Sequence, residues 1–74
     1  MVKDKLQVSL GLAIRRRREA LKLSQDDFAD TISMHRSYYS AIERGEKNLT
    51  LQVLSRVADG LKARLSDLFR DVGD

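Results

Sequence analysis

The stretch SQDDFADTISMHRSYYSAIERG, residues 24–45, decides the fold of this chain, because it holds two short helical patterns and the signals that bound them. Ser24 is a favourable N-cap for the first helix, whose apolar face predicts an end near Ile32. The second helix is predicted to run from about His35 to Arg44 and to stop at the glycine that follows. Two short helices joined by about three residues therefore form the centre of the predicted structure.

The outer face of the second of these helices carries small side chains between two arginines. At 100° per residue, an arc of roughly 140° collects five of them: Arg36, Ser37, Ser40, Ala41 and Arg44. Tyr39 and Ile42 point the other way. Small residues on a helix allow a large partner to come close, but they also allow packing against another protein helix, so this face alone leaves both partners open.

The rest of the chain repeats apolar residues at spacings of three and four and has no proline, which predicts an all-α domain. Five helices are expected, over about Val8 to Lys22, Ser24 to Ile32, His35 to Arg44, Leu51 to Leu61 and Leu65 to Arg70. The first has an apolar side formed by Leu10, Ala13, Ile14 and Leu21. Arg17 lies beside it with its guanidinium expected in water.

Length and composition place the 74 residues in one domain, residues 1–74, with a core over about 8–70 and frayed ends at 1–5 and 71–74. The absence of cysteine and the single histidine argue against disulfides and metal sites, and no cofactor or small-molecule ligand is indicated. No apolar run approaches the roughly 18 residues of a membrane span, and the first residues, MVKDKLQVSLG, lack the apolar h-region of a signal peptide. We therefore expect a cytoplasmic protein without a membrane partner.

Charge is distributed unevenly along the chain, whose formal net charge is +3. Residues 1–25 contain seven Lys and Arg residues against two acids, whereas residues 26–50 contain three against five. A basic first helix is expected in a protein that binds an anionic partner such as nucleic acid. It is equally typical of an ordinary helix whose charges are simply solvated.

Two short helices with this connection have the geometry of a helix-turn-helix, in which the second helix lies in the major groove of DNA. Arg36 stands at the end of that helix which reaches base edges, and the arginine fork matches guanine O6 and N7. Ser37 can donate to a base or a phosphate, and Ala41 can meet a thymine methyl group. Arg44, further along, is better placed for phosphate.

Nearly the whole chain, about Leu10 to Phe69, resembles one family through the stretches SLGLAIRRRREALKLSQDDFA, RSYYSAIERGEKNLTLQVLSRVADGL and LSDLF. These stretches look like the phage repressor and Cro type of helix-turn-helix domain, the XRE-like family of bacterial and phage transcription regulators. The resemblance implies a compact, lambda-repressor-like fold of five helices. Within the family, RSYYSAIERGEKNLTL is most similar to the small controller proteins of restriction-modification systems.

The resemblance also implies roles for individual positions. Arg36 and Ser37 would read bases, with Ala41 beside them. Contacts to the DNA backbone would come from six side chains: Gln25, Tyr38, Ser40, Arg44, Lys47 and Asn48. Arg18 and Glu43 match an internal ion pair that ties the first helix to the third and so fixes the orientation of the reading helix.

Four positions depart from the family pattern. Ser33 stands where the turn usually has glycine, so the turn must accept a left-handed non-glycine residue or bend differently. Tyr39 replaces a smaller aliphatic residue and needs a partner for its hydroxyl. Lys62 and Arg64 replace the Gly and Ser that often separate the fourth and fifth helices.

The resemblance implies a homodimer that reads half-sites about one helical turn, roughly 34–36 Å, apart. The fifth helix and its flank are the expected dimer interface, through Leu65, Phe69 and Val72. Leu65 and Leu68 also suit the core of the monomer, which would leave Phe69 and Val72 at the edge of the interface.

These observations predict a transcription regulator that binds double-stranded DNA sequence-specifically, as a homodimer on a pseudo-palindromic operator. An enzyme is not expected, because the one histidine has no cysteine partner and the acids Asp26, Asp27 and Asp30 suit helix capping and the surface. The alternative is an antitoxin or adaptor whose helical surface binds another protein. A module that binds only protein would not need the basic, small-residue face of the third helix.

Overall fold

A computed structural model of the chain describes residues 5–73, which form five α-helices and no β-strand. In chain order they are α1 (Lys5–Ala20), α2 (Gln25–Thr31), α3 (Arg36–Glu43), α4 (Leu51–Leu61) and α5 (Leu65–Val72). Helix α1 packs against α3, α4 and α5, while α2 packs against α3. The prediction of a compact, all-α fold of five helices is confirmed.

Side-chain caps begin three of the helices. Ser24 and Thr50 each accept a hydrogen bond, 3.1 Å long, from the backbone N–H three residues on, at the starts of α2 and α4. His35 caps α3, because its Nδ1 atom accepts from the backbone N–H of Ser37 at 3.3 Å. Gly45, with φ of +74°, ends the turn after α3 in the left-handed conformation. The predicted bounds of α2 and α3 agree with these caps.

The core gathers apolar side chains from all five helices. Its two largest members, Phe28 of α2 and Tyr39 of α3, are fully buried, with ring centroids 5.0 Å apart. The other members of the buried cluster are Leu10, Ile14, Ala29, Ile32, Ile42, Leu54, Val57, Ala58, Leu61 and Leu68. Because Tyr39 and Ile42 lie in this core, the opposite side of α3 is directed away from it.

The ends of the first and last helices differ from the prediction. Helix α1 ends at Ala20, so Leu21 lies beyond it and is 39% exposed rather than part of the apolar side. Helix α1 begins at Lys5 and helix α5 continues through Val72, so both extend into the ends 1–5 and 71–74 that were predicted to fray. Arg17 forms an ion pair with Asp71, with Nη2 3.2 Å from Oδ1, and thereby joins the last turn of α5 to α1. Of those ends, residues 1–4 and 74 lie outside the described residues.

A close approach between α1 and α3 explains the glycine inside α1. A Cβ atom at Gly11 would lie 2.5 Å from the backbone oxygen of Glu43 and 2.6 Å from that of Ile42. Such distances are shorter than any real Cβ contact, so a side chain at Gly11 would push the two helices apart. The penalty that a glycine carries within a helix is therefore offset by the contact it permits.

The turn between α2 and α3 keeps its left-handed residue although that residue is serine. Ser33 has φ of +54°, and Arg56 of α4 donates from Nε to the backbone oxygen of Ile32 at 2.8 Å and also donates to that of Ser33. These bonds fix the turn from outside. Lys62, at φ of +59°, ends α4 in the same left-handed way. Ser33 and Lys62, two of the positions that depart from the family pattern, therefore both adopt the left-handed conformation.

Within residues 5–73, no helix is both long and apolar enough to span a bilayer. The same part of the chain contains no group of three or more His, Asp or Glu side chains arranged to hold a metal ion.

Candidate nucleic-acid interface

The outward side of α3 is open to solvent along most of its length. Arg36, Ser37 and Arg44 are exposed and Ser40 is half-buried. These four side chains line one shallow concavity on the surface. The structure thus brings together two arginines with two small hydroxyl side chains between them, as the sequence predicted for the reading face.

Arg44 is anchored at the far end of this concavity. Its Nη1 atom donates to Ser40 Oγ at 2.7 Å, and its Nε atom donates to Glu46 Oε1 at 3.1 Å. A guanidinium held between a hydroxyl and a carboxylate is kept close to the helix surface. The positive charge of Arg44 is therefore presented at a fixed position along α3.

A second depression lies beside the first and is formed by α3 and the loop after it. Ser37 and Arg44 border both depressions, and the second is completed by five further residues: His35, Tyr38, Ala41, Glu46 and Lys47. The Nζ atom of Lys47 sits 5.2 Å from the centroid of the Tyr38 ring, within the range of a cation–π contact. The loop therefore places a further positive charge, that of Lys47, next to the two arginines of the α3 face.

Ala41 differs from the other small residues of the face, because it is only 6% exposed. The chain after α3 turns back beside it, and the backbone N–H of Glu46 donates to the Ala41 oxygen at 2.9 Å. Ala41 therefore lines the second depression, together with Ser37 and Arg44, and does not line the first.

Gln25 and Asn48 are held by partners within the protein. Gln25 Nε2 donates to Glu43 Oε1 at 2.8 Å, which ties the start of α2 to the end of α3. Asn48 is exposed, and its Oδ1 atom accepts from Gln7 Nε2 of α1 at 3.2 Å. Both side chains flank the α3 face without belonging to either depression.

Arg18 and Glu43 form the ion pair that the resemblance implied, and it is buried. Arg18 Nε donates to Glu43 Oε2 at 2.6 Å, and Nη2 donates to Oε1 at 3.1 Å, so the contact is bidentate. Arg18 Nη1 also donates to the backbone oxygen of Leu23 at 2.7 Å. The side chains are 9% and 2% exposed, respectively. This pair joins α1 to Glu43, the last residue of α3.

The hydroxyl of Tyr39 completes this buried network by donating to Glu43. Burial, together with this hydrogen bond, raises the pKa of Tyr39 far above its usual value, so the hydroxyl remains a donor. Burial alone would raise the pKa of Glu43, but hydrogen bonds from Arg18, Tyr39 and Gln25 outweigh it and lower that pKa. Glu43 is therefore an anion that accepts hydrogen bonds from three side chains. One of them is Tyr39, whose hydroxyl thereby has the partner that its position in the core requires.

Arg36 has a partner on the neighbouring helix. Its Nε atom lies 2.5 Å from Oδ1 of Asp26, in the first turn of α2. The two side chains are 68% and 61% exposed, respectively. The predicted base reader is thus held at the surface by a carboxylate that remains in water.

Sequence reasoning missed two residues that shape this interface. From the sequence, Asp26 is interpreted as a helix-capping or surface residue, whereas the structure shows it paired with Arg36. Arg56 carried no signal in the sequence, because its partners are backbone oxygens of a turn 23 and 24 positions earlier.

The apolar residues proposed for a dimer interface are distributed between core and surface. Leu68 is fully buried, whereas Leu65 and Val72 are half-buried and pack against the core. Phe69 is 44% exposed, which makes it the most accessible of the set. The end of α5 therefore offers a small apolar surface centred on Phe69.

Comparison with solved structures finds the same arrangement of helices in other proteins. The crystal structure of the clp gene regulator ClgR from C. glutamicum superposes with a TM-score of 0.89 at 25% sequence identity, covering 96% of this chain and 91% of that one. The restriction-modification controller protein C.Esp1396I, solved as a tetramer in complex with its natural 35 base-pair operator, has a TM-score of 0.83 at 28% identity. That match covers 90% of this chain and 88% of the other.

Sequence comparison gives the same result. Control protein C.MunI from Mycoplasma sp is 38% identical over 68 residues, which are 90% of this chain and 92% of that protein. The sequence model of the Helix-turn-helix family matches residues 14–68. The predicted resemblance to helix-turn-helix regulators and to restriction-modification controller proteins is confirmed, and the chain belongs to the Helix-turn-helix family.

Proposed function

We propose that this chain is a transcription regulator that binds double-stranded DNA sequence-specifically and inserts α3 into the major groove. The observation that carries the proposal is the open concavity of Arg36, Ser37, Ser40 and Arg44 on the side of α3 opposite the core. A groove about 12 Å wide admits one α-helix, and small side chains let its backbone come near the base edges. No described part of the chain covers this concavity.

In this proposal, Arg36 and Ser37 read base edges, because they stand at the N-terminal end of α3 and are exposed. The Arg36 fork suits guanine, and the Ser37 hydroxyl suits a base or a phosphate. Ala41 contributes a small apolar floor beside them.

Contacts to the sugar-phosphate backbone come from the rim of the reading face. Phosphate contacts position a protein on the duplex and do not depend on its sequence. Arg44 and Lys47 supply positive charge, and four neutral polar side chains join them: Gln25, Tyr38, Ser40 and Asn48. Gln25 is held by Glu43, which presents its amide at a defined place next to the start of α2.

The regulator is proposed to act as a homodimer in the cytoplasm, with a binding role and no catalytic one. One α3 helix reads one half-site, and half-sites in successive major grooves lie about 34–36 Å apart. The relative solved as a tetramer on a 35 base-pair operator supports an oligomer on DNA. The surface around Phe69, with Leu65 and Val72 at its edge, is the proposed contact between protomers.

Selection of bound sequences from random duplex DNA tests the proposal directly. The expected result is a pseudo-palindromic consensus whose half-sites repeat at about one helical turn. Binding to that consensus should weaken as salt rises, since phosphate contacts release counterions. Enrichment of no sequence, or of sequences without two-fold symmetry, would contradict the homodimeric regulator.

A further inference from the structure

Asp26 is an acidic residue at the edge of a face proposed to bind a polyanion, which calls for an explanation. The N-cap hydrogen bond of α2 is made by Ser24, so it does not use the Asp26 carboxylate. That carboxylate instead approaches Arg36, with Oδ1 2.5 Å from Nε. An acid placed only for solubility or capping would not need to meet the residue proposed to read bases.

The atom through which Arg36 meets Asp26 matters. Nε is the guanidinium nitrogen closest to the side-chain stem, whereas the terminal Nη1 and Nη2 atoms lie beyond it and carry four of the five N–H groups. A bidentate contact with guanine can be made by those terminal groups. Contact at Nε therefore restrains the guanidinium and leaves the Nη1 and Nη2 groups to contact a base.

Restraint of this kind favours base reading over other contacts. A free arginine of this length samples many rotamers, loses that freedom on binding, and can swing to a nearby phosphate. The Asp26 carboxylate repels phosphate and attracts the guanidinium, so it holds the Nε end of Arg36 beside the first turn of α2. Since both side chains remain mostly exposed, the pair adds little to folding stability.

We propose that Asp26 is a positioning residue for Arg36 and thereby determines how well the protein discriminates between DNA sequences. This inference rests on the proposed function, because it assumes that Arg36 reads a base. In this proposal, discrimination between DNA sequences depends on two side chains, one from each helix of the helix-turn-helix.

The test compares Asp26→Asn with Asp30→Asn, which removes the same charge from an exposed position on α2. Dissociation constants are measured for the selected operator and for a scrambled duplex at one salt concentration. Asp26→Asn is expected to lower the ratio of operator to scrambled affinity about fivefold, as for directly coupled neighbours. Asp30→Asn should leave the ratio unchanged, although both variants gain some affinity for any DNA. Equal ratios in the two variants would overturn the proposal.

The same measurements on Arg36→Ala and on the double variant separate two kinds of failure. With Arg36 absent, Asp26→Asn should change the ratio no more than Asp30→Asn does. If Arg36→Ala leaves the ratio intact, base reading by Arg36 itself is wrong. If Arg36→Ala lowers the ratio and Asp26→Asn does not, the positioning role alone is wrong. Asp26→Glu, which retains the charge, should retain most of the discrimination, and thermal unfolding confirms that each variant is folded.

Discussion

Two arginine–carboxylate pairs of this protein involve opposite ends of α3 and differ in their surroundings. Arg18 and Glu43 are almost completely buried, whereas Arg36 and Asp26 are mostly exposed. A buried pair that loses one partner leaves a charge without compensation, while an exposed charge is still solvated. The comparison shows that the same kind of ion pair holds two helices together when it is buried, and contacts an exposed side chain while adding little to stability when it remains in water.

The largest expected effect is on folding stability. Glu43→Ala leaves Arg18 buried without its anion and Tyr39 without an acceptor, and it should reduce the free energy of unfolding by about 3–5 kcal/mol. Asp26→Ala, at the exposed pair, should change it by less than about 1 kcal/mol. Urea unfolding followed by circular dichroism measures both values. Similar losses in the two variants would break the distinction between the pairs.

The next effect concerns sequence preference in DNA binding. Arg36→Ala should weaken binding to the selected operator by about 1–3 kcal/mol more than binding to scrambled DNA. Arg70→Ala removes an arginine that is also exposed, at 79%, and should leave sequence preference unchanged. Gel-shift or fluorescence anisotropy titrations provide the measurement. Equal loss on both duplexes would show that Arg36 contacts phosphate.

A smaller effect on folding stability is expected from acid at the buried pair. Because the pKa of Glu43 is lower in the folded chain than its usual value, the unfolded chain binds this proton more readily. The stabilisation is therefore complete above the usual pKa of about 4.3 and is lost as pH falls through the folded-state value. The difference in unfolding free energy between the wild type and Glu43→Gln should shrink on acidification from pH about 6 to pH about 3. A constant difference would contradict the assignment.

The smallest expected effect is on the salt dependence of DNA binding, which distinguishes phosphate contacts from base reading. Lys47→Ala should weaken binding to all duplexes alike and reduce the slope of log affinity against log salt by about 1. Lys62→Ala, in the loop between α4 and α5, removes the same charge and should leave the slope unchanged. Titrations at several salt concentrations check both. A change of sequence preference in Lys47→Ala would give this loop a reading role.

Much of the fold could be predicted because its signals are local. Ser24 caps α2 in the structure as its sequence neighbourhood predicted, and Gly45, predicted to end α3, adopts the left-handed conformation. The extent of α5 could not be predicted in this way. It depends on Arg17 meeting Asp71, 54 positions away, and spacing within one helix does not report such a contact.

The same division applies to the candidate site. The exposed side of α3 followed from helical periodicity, since Tyr39 and Ile42 fix which side faces the core. The burial of Ala41 did not follow, because it depends on the path of the chain after α3. Asp26 and Arg56 acquire their roles from side-chain contacts between different helices and turns.

By itself, the sequence determined the five helices, the helix-turn-helix at their centre and the side of α3 that faces outward, since caps and periodicity act over a few residues. Tertiary structure alone decided how deeply the Arg18–Glu43 pair is buried and that Arg36 meets Asp26 of the neighbouring helix. The family resemblance implied the first pair, but spacing within one helix reports neither its burial nor the second contact. The distinction between the two pairs arises from burial, because the packing of α1 on α3 encloses Arg18 with Glu43 and leaves Arg36 and Asp26 in water.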